Sequence, residues 1–193
     1  MERLEQIILA TLELASKKGL GNVSLQMIAD RVGIRKASLF NHIVNKDDLL
    51  DKMYAFLREN AKKNVTPMEI DFNKSAYDIL VSSFYNYMKI CSNPNLNTFY
   101  KLIYSERAFD NKAKELVIEE TNKMVFATTY LFKELVNRGK IKIDNIEVEA
   151  VGYTFALHNF VDFYIDSASL SLETPYKVED YIKNFLRGKT GEK

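Results

Sequence analysis

Within eight residues, the chain places a guanidinium, an ammonium, a hydroxyl, a carboxamide and an imidazole: Arg35, Lys36, Ser38, Asn41 and His42. Ser24 stands upstream of them and Lys46 downstream. Cationic and hydroxyl groups of this kind meet phosphate oxygens, and a carboxamide or a guanidinium can match the donor and acceptor pattern of a base edge. The chemistry they suit is reversible hydrogen bonding to a nucleic acid.

Such groups need a scaffold that turns them outward. Ser24 precedes an apolar run and can cap a helix with its hydroxyl, although Met27 at the third position leaves the capping box incomplete. Leu25, Ile28, Ala29 and Val32 share one face at helical spacing. Small Ala29 lets a following helix cross closely. Gly33 supplies the tight or left-handed turn that only glycine takes cheaply. Ile34 plugs the corner. A second helix is expected from about Arg35 to Ile43, with Leu39, Phe40 and Ile43 inward and the polar set outward. Two short helices about a glycine turn, the second one basic, form the pattern of a helix-turn-helix DNA reader.

Charge supports this locally. The chain carries 27 basic and 26 acidic residues, so its net charge says nothing about a polyanionic partner. Residues 1–63 hold 11 basic and 8 acidic residues, and the remainder 16 and 18. From Arg31 to Lys46 there are four basic residues and no acidic one, as a small phosphate-contacting face requires.

Residues 3–50 resemble the DNA-binding domain of the TetR (tetracycline-repressor-like) family of bacterial transcriptional regulators. The resemblance rests on Lys17, Lys18 and Gly19 at the end of the first helix, and on Ser24, Ile28 and Ala29 in the second. It continues through Gly33, Ile34, Leu39, Phe40, Asn41, His42, Ile43, Lys46 and Leu49 in the recognition segment. The chain departs from the family pattern at Ala15, where phenylalanine is usual, and at Val32 and Ala37. Phe40 stands where tyrosine is usual, and Asn41 where an aromatic is frequent. These departures bear on the operator sequence. The resemblance implies phosphate contacts for Ser24, His42 and Lys46. It implies base-edge and adjacent phosphate contacts for Arg35, Lys36, Ser38 and Asn41. His42 could instead cap helix carbonyls, and Lys46 could be a solvated first-turn residue.

The rest of the chain reads as helical. Helices are expected at about 2–18, from Asn45 to about Asn64, at 74–92, 94–106 and 110–138, from Asp144 to about Ser167, and from Thr174 with Pro175 at its first position to about Gly188. The 65–73 stretch with Pro67 should break the fourth helix. Ile141 and Ile143 read as loop. The expected fold class is all-α: a three-helix reader with its helix-turn-helix, plus a larger C-terminal helical domain, about nine helices in total. The domains are 1–46 for DNA, 47–188 for effector binding and dimerisation, and a disordered tail at 189–193.

Several classes are disfavoured. No apolar run reaches the roughly 18–20 residues of a membrane helix and no signal peptide is visible, so a cytoplasmic, non-membrane protein is expected. Cys91 is the sole cysteine and there are two histidines, which argues against a disulfide framework or a metal site. Neither a phosphate loop nor a nucleophile elbow occurs, so neither enzyme activity nor a cofactor is expected.

The 74–92 segment is apolar on nearly all sides, which predicts burial. An effector cavity would draw on Tyr77, Phe84, Tyr87, Met88, Tyr100, Tyr104, Met124, Tyr130, Phe155 and His158, though aromatics at helical spacing also simply make a core. Its ligand would be mostly apolar. Family resemblance implies a homodimer on a palindromic operator. The candidate interface is Val148, Val151, Gly152 and Phe155 with Val178, Tyr181, Ile182 and Phe185, unless these pack on their own subunit. The function expected is a ligand-responsive regulator, a repressor released by its effector. The alternatives are a helical small-molecule-binding protein or enzyme with a vestigial reader, and a protein whose basic helix binds an acidic partner.

Overall fold

A computed structural model describes residues 2–63 and 69–190. The expected break at Pro67 and the last three residues of the expected tail lie outside them. Among the described residues there are nine α-helices and no strand. In chain order they are α1 Arg3–Lys18, α2 Leu25–Val32, α3 Lys36–Leu39, α4 Lys46–Lys63, α5 Ala76–Cys91, α6 Pro94–Glu106, α7 Asn111–Asn137, α8 Ile146–Ser169 and α9 Val178–Phe185, with a 3-10 turn Leu20–Asn22 after α1. The chain divides into two compact units. One comprises Met1–Asn64 and Asn93–Glu120, the other Val65–Ser92 and Thr121–Lys193.

The first unit forms around the inward faces that the sequence marked. Ile7, Ile8, Leu12 and Ala15 of α1 are buried with Ile28 and Ala29 of α2, Leu39 and Ile43, and Leu49, Leu50, Met53 and Leu57 of α4. Phe99 and Ile103 of α6 complete this core. Gly33 ends α2 in the left-handed region at φ 76° and ψ 35°. Its N–H and that of Ile34 reach back to the carbonyls of the last helical turn, which closes α2 without a side-chain cap.

In the second unit, α5 packs on α9 and α8. Its middle is a cluster of rings. Phe132 stacks on Phe185 at 5.4 Å, and Tyr153 lies 5.1 Å from Phe132 and 4.8 Å from Phe185. Offset and edge arrangements at these distances add to the gain from burial alone.

Four expectations are corrected. The helix from Arg35 to Ile43 is regular only over Lys36–Leu39, and Asn41 and His42 follow in a turn that still bonds back to Ser38 and Leu39. Phe40, expected inside, is 51% exposed because Leu39 and Ile43 already fill the core side of this short turn. Pro175 does not open α9, which begins at Val178. The Tyr164 hydroxyl donates to the Tyr176 carbonyl and accepts from the Val178 N–H, which holds the preceding segment outside the helix. Finally, α5 is buried on one side only. Ala76, Ile79, Leu80, Phe84 and Cys91 are covered while Tyr85 faces out, its hydroxyl donating to Glu179.

Candidate nucleic-acid interface

The reader starts at Ser24. Its Oγ accepts the Met27 N–H at 3.2 Å, so the hydroxyl caps α2 while its own proton remains available to a phosphate. Across the Gly33 turn, Arg35 and Lys36 are exposed at the start of α3, with Ser38 half-buried behind them. Asn41 is exposed and His42 half-buried in the turn that follows. The buried pair beneath them, Leu39 and Ile43, fixes this outward set against α1 and α2. All seven polar residues expected from the sequence are therefore in the first unit, and Arg35, Lys36, Ser38, Asn41 and His42 are presented together on one short stretch.

What holds that stretch still is α4. Asn45 caps it by accepting the Asp48 N–H at 2.9 Å. Asp48 in turn accepts the Val44 N–H at 2.8 Å, and Lys52 bridges the Asp48 carboxylate and the His42 carbonyl at 2.8 and 2.7 Å. The Lys52 hydrogen bond, aided by the Val44 N–H, holds the Asp48 carboxyl below its usual value. Lys46 donates to the Leu20 carbonyl at 2.9 Å. This cation thus also ties α4 to the turn after α1. A further tie runs to α6, where Glu106 accepts the Gly21 N–H at 3.2 Å.

Space changes the charge count. Arg31 belongs to the acid-free window of the sequence, yet its guanidinium donates twice to Glu13 of α1, at 2.6 and 3.0 Å. The carboxylate is 18 residues away and invisible to a local count. Exposed Phe40 works in the opposite direction. It adds an apolar ring beside Asn41 of the kind that meets a thymine methyl, and only the structure shows that it is on the surface.

Farther along α4 lies a buried polar knot that the sequence reading missed. Glu120 of α7 is 2% exposed and accepts from both Tyr54 and Arg58. Arg58 also donates to the Tyr100 hydroxyl of α6 at 2.9 Å. No sequence signal pairs positions 62 and 66 residues apart.

The expected effector residues are dispersed. Tyr100 and Tyr104 belong to the first unit and the other eight to the second. In the second unit the Tyr87 hydroxyl meets the Met124 sulfur at 2.8 Å, which joins α5 to α7. Phe84 is fully buried, edge-on to Tyr164 at 6.1 Å. Met88 is half-buried, Tyr130 and Phe155 are exposed, and His158 Nε2 lies 3.7 Å from Asp162. Tyr77 lines a surface cleft at the start of α5.

Of the expected dimer residues, Val148, Val151, Gly152 and Phe155 form an exposed stripe on α8. Val178 and Ile182 are wholly covered within their own unit, and Tyr181 and Phe185 are half-buried in the ring cluster. The α7 residues Phe126 and Tyr130 are exposed as well. Thr154 meets Thr128 at 2.9 Å and Lys133 meets Glu147 at 2.9 Å. In that antiparallel register Phe126 and Tyr130 run beside Phe155 and Val151.

Among the described residues no group of three or more His, Cys, Asp or Glu side chains is placed to hold a metal ion. No helix among them is long and apolar enough to cross a membrane.

The fold and the reader together define an all-helical protein with an N-terminal helix-turn-helix domain. Residues 7–53 match the family described as bacterial regulatory proteins, tetR family. The whole chain also resembles solved structures. The flavonoid-responsive regulator FrrA is 16% identical with a TM-score of 0.72, covering 98% of each chain. A transcriptional regulator from Rhodococcus sp. Rha1 is 15% identical with a TM-score of 0.67, over 97% of this chain and 98% of that one. MexZ of Pseudomonas aeruginosa, described as a key repressor responsible for antibiotic resistance, is 16% identical with a TM-score of 0.65, over 95% and 92%. At such identities the structural likeness speaks for the fold. With the sequence match in the reader, residues 7–53 are identified as a tetR-family DNA-binding domain.

Proposed function

We propose that this protein is a ligand-responsive repressor of transcription, not an enzyme. It binds a palindromic operator as a homodimer and is released by a small, mostly apolar effector. Residues 1–46 read the DNA, in the cytoplasm, and residues 47–188 bind the effector and the second copy. The observation that carries the reading is the outward set of Arg35, Lys36, Ser38, Asn41 and His42 on a stretch clamped by α4. A single reader of this size covers few base pairs. Dimers reach half-sites roughly 34–36 Å apart, and the exposed α8 stripe is the surface offered for pairing.

Release follows from the clamps. Lys46, Asp48 and Lys52 join α4 to the reader, and Tyr54 and Arg58 join α4 to α6 and α7. An effector that favours a different α4 position moves the recognition stretch with it, and it lowers DNA affinity only by as much as it prefers that position.

The test is a protection assay on the DNA upstream of the protein's own gene, at several salt concentrations. Arg35→Ala with Lys36→Ala should weaken binding at least roughly tenfold and flatten the salt slope by about 0.9 for each phosphate that is no longer neutralised. Equal affinity and slope in that variant would overturn the site. Lys46 is left intact because its ammonium also has a structural partner.

A further inference from the structure

A cleft of about 820 Å³ opens in the second unit where the end of α7, the end of α9 and the start of α5 come together. Lys140, Lys183 and Arg187 line it, and among the described residues no carboxylate does. The Lys140 ammonium is fixed by the Lys74 carbonyl at 2.7 Å. Lys183 and Arg187 are exposed and have no acidic partner among the described residues. Three other cations of this unit are paired, Lys133 with Glu147, Arg138 with Glu134 and Lys189 with Glu149.

Lys183 and Arg187 sit near the C-terminal end of α9, where a cation complements the helix dipole. That accounts for two of the charges separately. It does not account for three cations lining one cleft together with the N-terminal end of α5, which is itself positive. The first-turn N–H groups of Ala76 and Tyr77 have no acceptor there, because the Ser75 hydroxyl is spent on Asp78. Asp78, the nearest acid on α5, is engaged with Ser75 and lies outside the cleft wall. Like charges lining one cleft repel, and an anion between them relieves the repulsion.

We propose that this cleft is a binding site for a small oxyanion carrying two or more negative charges, the chemistry of a phosphorylated or multiply carboxylated metabolite. Lys183 and Arg187 supply the charge. Arg187 offers a forked pair of donors, and the α5 amides offer directed ones. Volume beyond that of one oxyanion group remains for an organic portion along Tyr77 and Leu186, within the usual size of small-molecule sites. The site is separate from the DNA reader and does not depend on how the effector is bound.

Inorganic pyrophosphate and citrate are the probes, titrated into the full chain by calorimetry at constant ionic strength, with chloride as control. Amide shifts are followed by NMR. The expected result is saturable binding of at least one probe at one site per chain, with shifts centred on Ala76, Tyr77 and Gly188. The probe that saturates at lower concentration tells a phosphate from a polycarboxylate. Lys183→Ala with Arg187→Ala, both exposed and without structural partners, should weaken binding at least roughly tenfold, whereas Lys36→Ala should leave it unchanged. Equal binding by the double variant overturns the site. So does a response no greater than that of chloride, or shifts centred on residues 33–46.

Discussion

Both units cap helices with side chains and pair charges, but the second adds a cluster of rings at its middle. In the first, a chain of polar side chains around the reader closes backbone ends or other charges. Ser24 and Asn45 cap helices, Lys46 and Lys52 take carbonyls, Arg31 takes Glu13, and Glu120 takes Tyr54 and Arg58. In the second, rings pack on rings, and the Tyr153 hydroxyl is buried among Phe132, Tyr181 and Phe185 with no hydrogen-bond partner among the described residues. Burial, with Tyr181 adding to it, raises the Tyr153 phenol far above its ordinary range. Satisfied polar groups specify one arrangement, whereas a ring cluster with a loose hydroxyl tolerates several. That contrast suits a rigid reader and, under the proposed function, a body that adapts to its effector.

The largest effect should come from cutting the buried knot. Glu120→Ala leaves the half-buried Arg58 guanidinium without its carboxylate and should cost roughly 3–5 kcal/mol of stability by urea unfolding. Replacing Arg58 and Glu120 together with methionine should restore most of the loss. If the single change costs no more than the double, the knot is not a satisfied ion pair and the first half of the contrast fails.

The opposite sign is expected at Tyr153. Tyr153→Phe removes a hydroxyl that has lost water and gained nothing, so stability should rise by about 1 kcal/mol. A loss of stability would mean that the hydroxyl is bonded after all. Of similar size is the cap: Ser24→Ala should cost about 1 kcal/mol, read as reduced protection of the α2 amides in hydrogen exchange.

The same contrast explains what could be read from the sequence. Ser24, Ala29, Gly33 and Leu39 lie within sixteen residues, and each has a local physical meaning, so the reader was legible almost residue by residue. Its errors came from three dimensions. Glu13 neutralises Arg31 from another helix, and Phe40 turns outward because Leu39 and Ile43 fill the core. The knot at Glu120 joins residues too far apart for any local pattern. Farther along, Phe84, Tyr130 and Phe155 have the same helical spacing, yet one is core and two are surface. An aromatic residue reads alike in both places, so periodicity could give the helices but not which rings face a ligand, a partner copy or the core.

Acid should separate the units by a smaller margin. Asp48 is held below its usual value of 3.8 by Lys52 and then by the Val44 N–H. Glu13 is lowered by Lys17 and Arg31. A carboxyl lowered in the folded state contributes stability that is fully present above its unfolded value and disappears as pH falls through the folded one. Both groups hold the reader, so its stability should decline below about pH 4. In the second unit Glu147 is lowered too, by Lys133, but this exposed pair ties α7 to α8 only at the surface, while the ring cluster does not titrate in that range. Between pH 5 and 3, amides of α2 and of the 40–45 turn should therefore lose exchange protection before those of α8. Asp48→Asn keeps an acceptor for Val44 but not the charge opposite Lys52. It should lower protection of the turn at pH 7 and leave less to lose at pH 3. If α8 opens first, or if Asp48→Asn shows the wild-type acid response, polar closure is not what keeps the reader rigid.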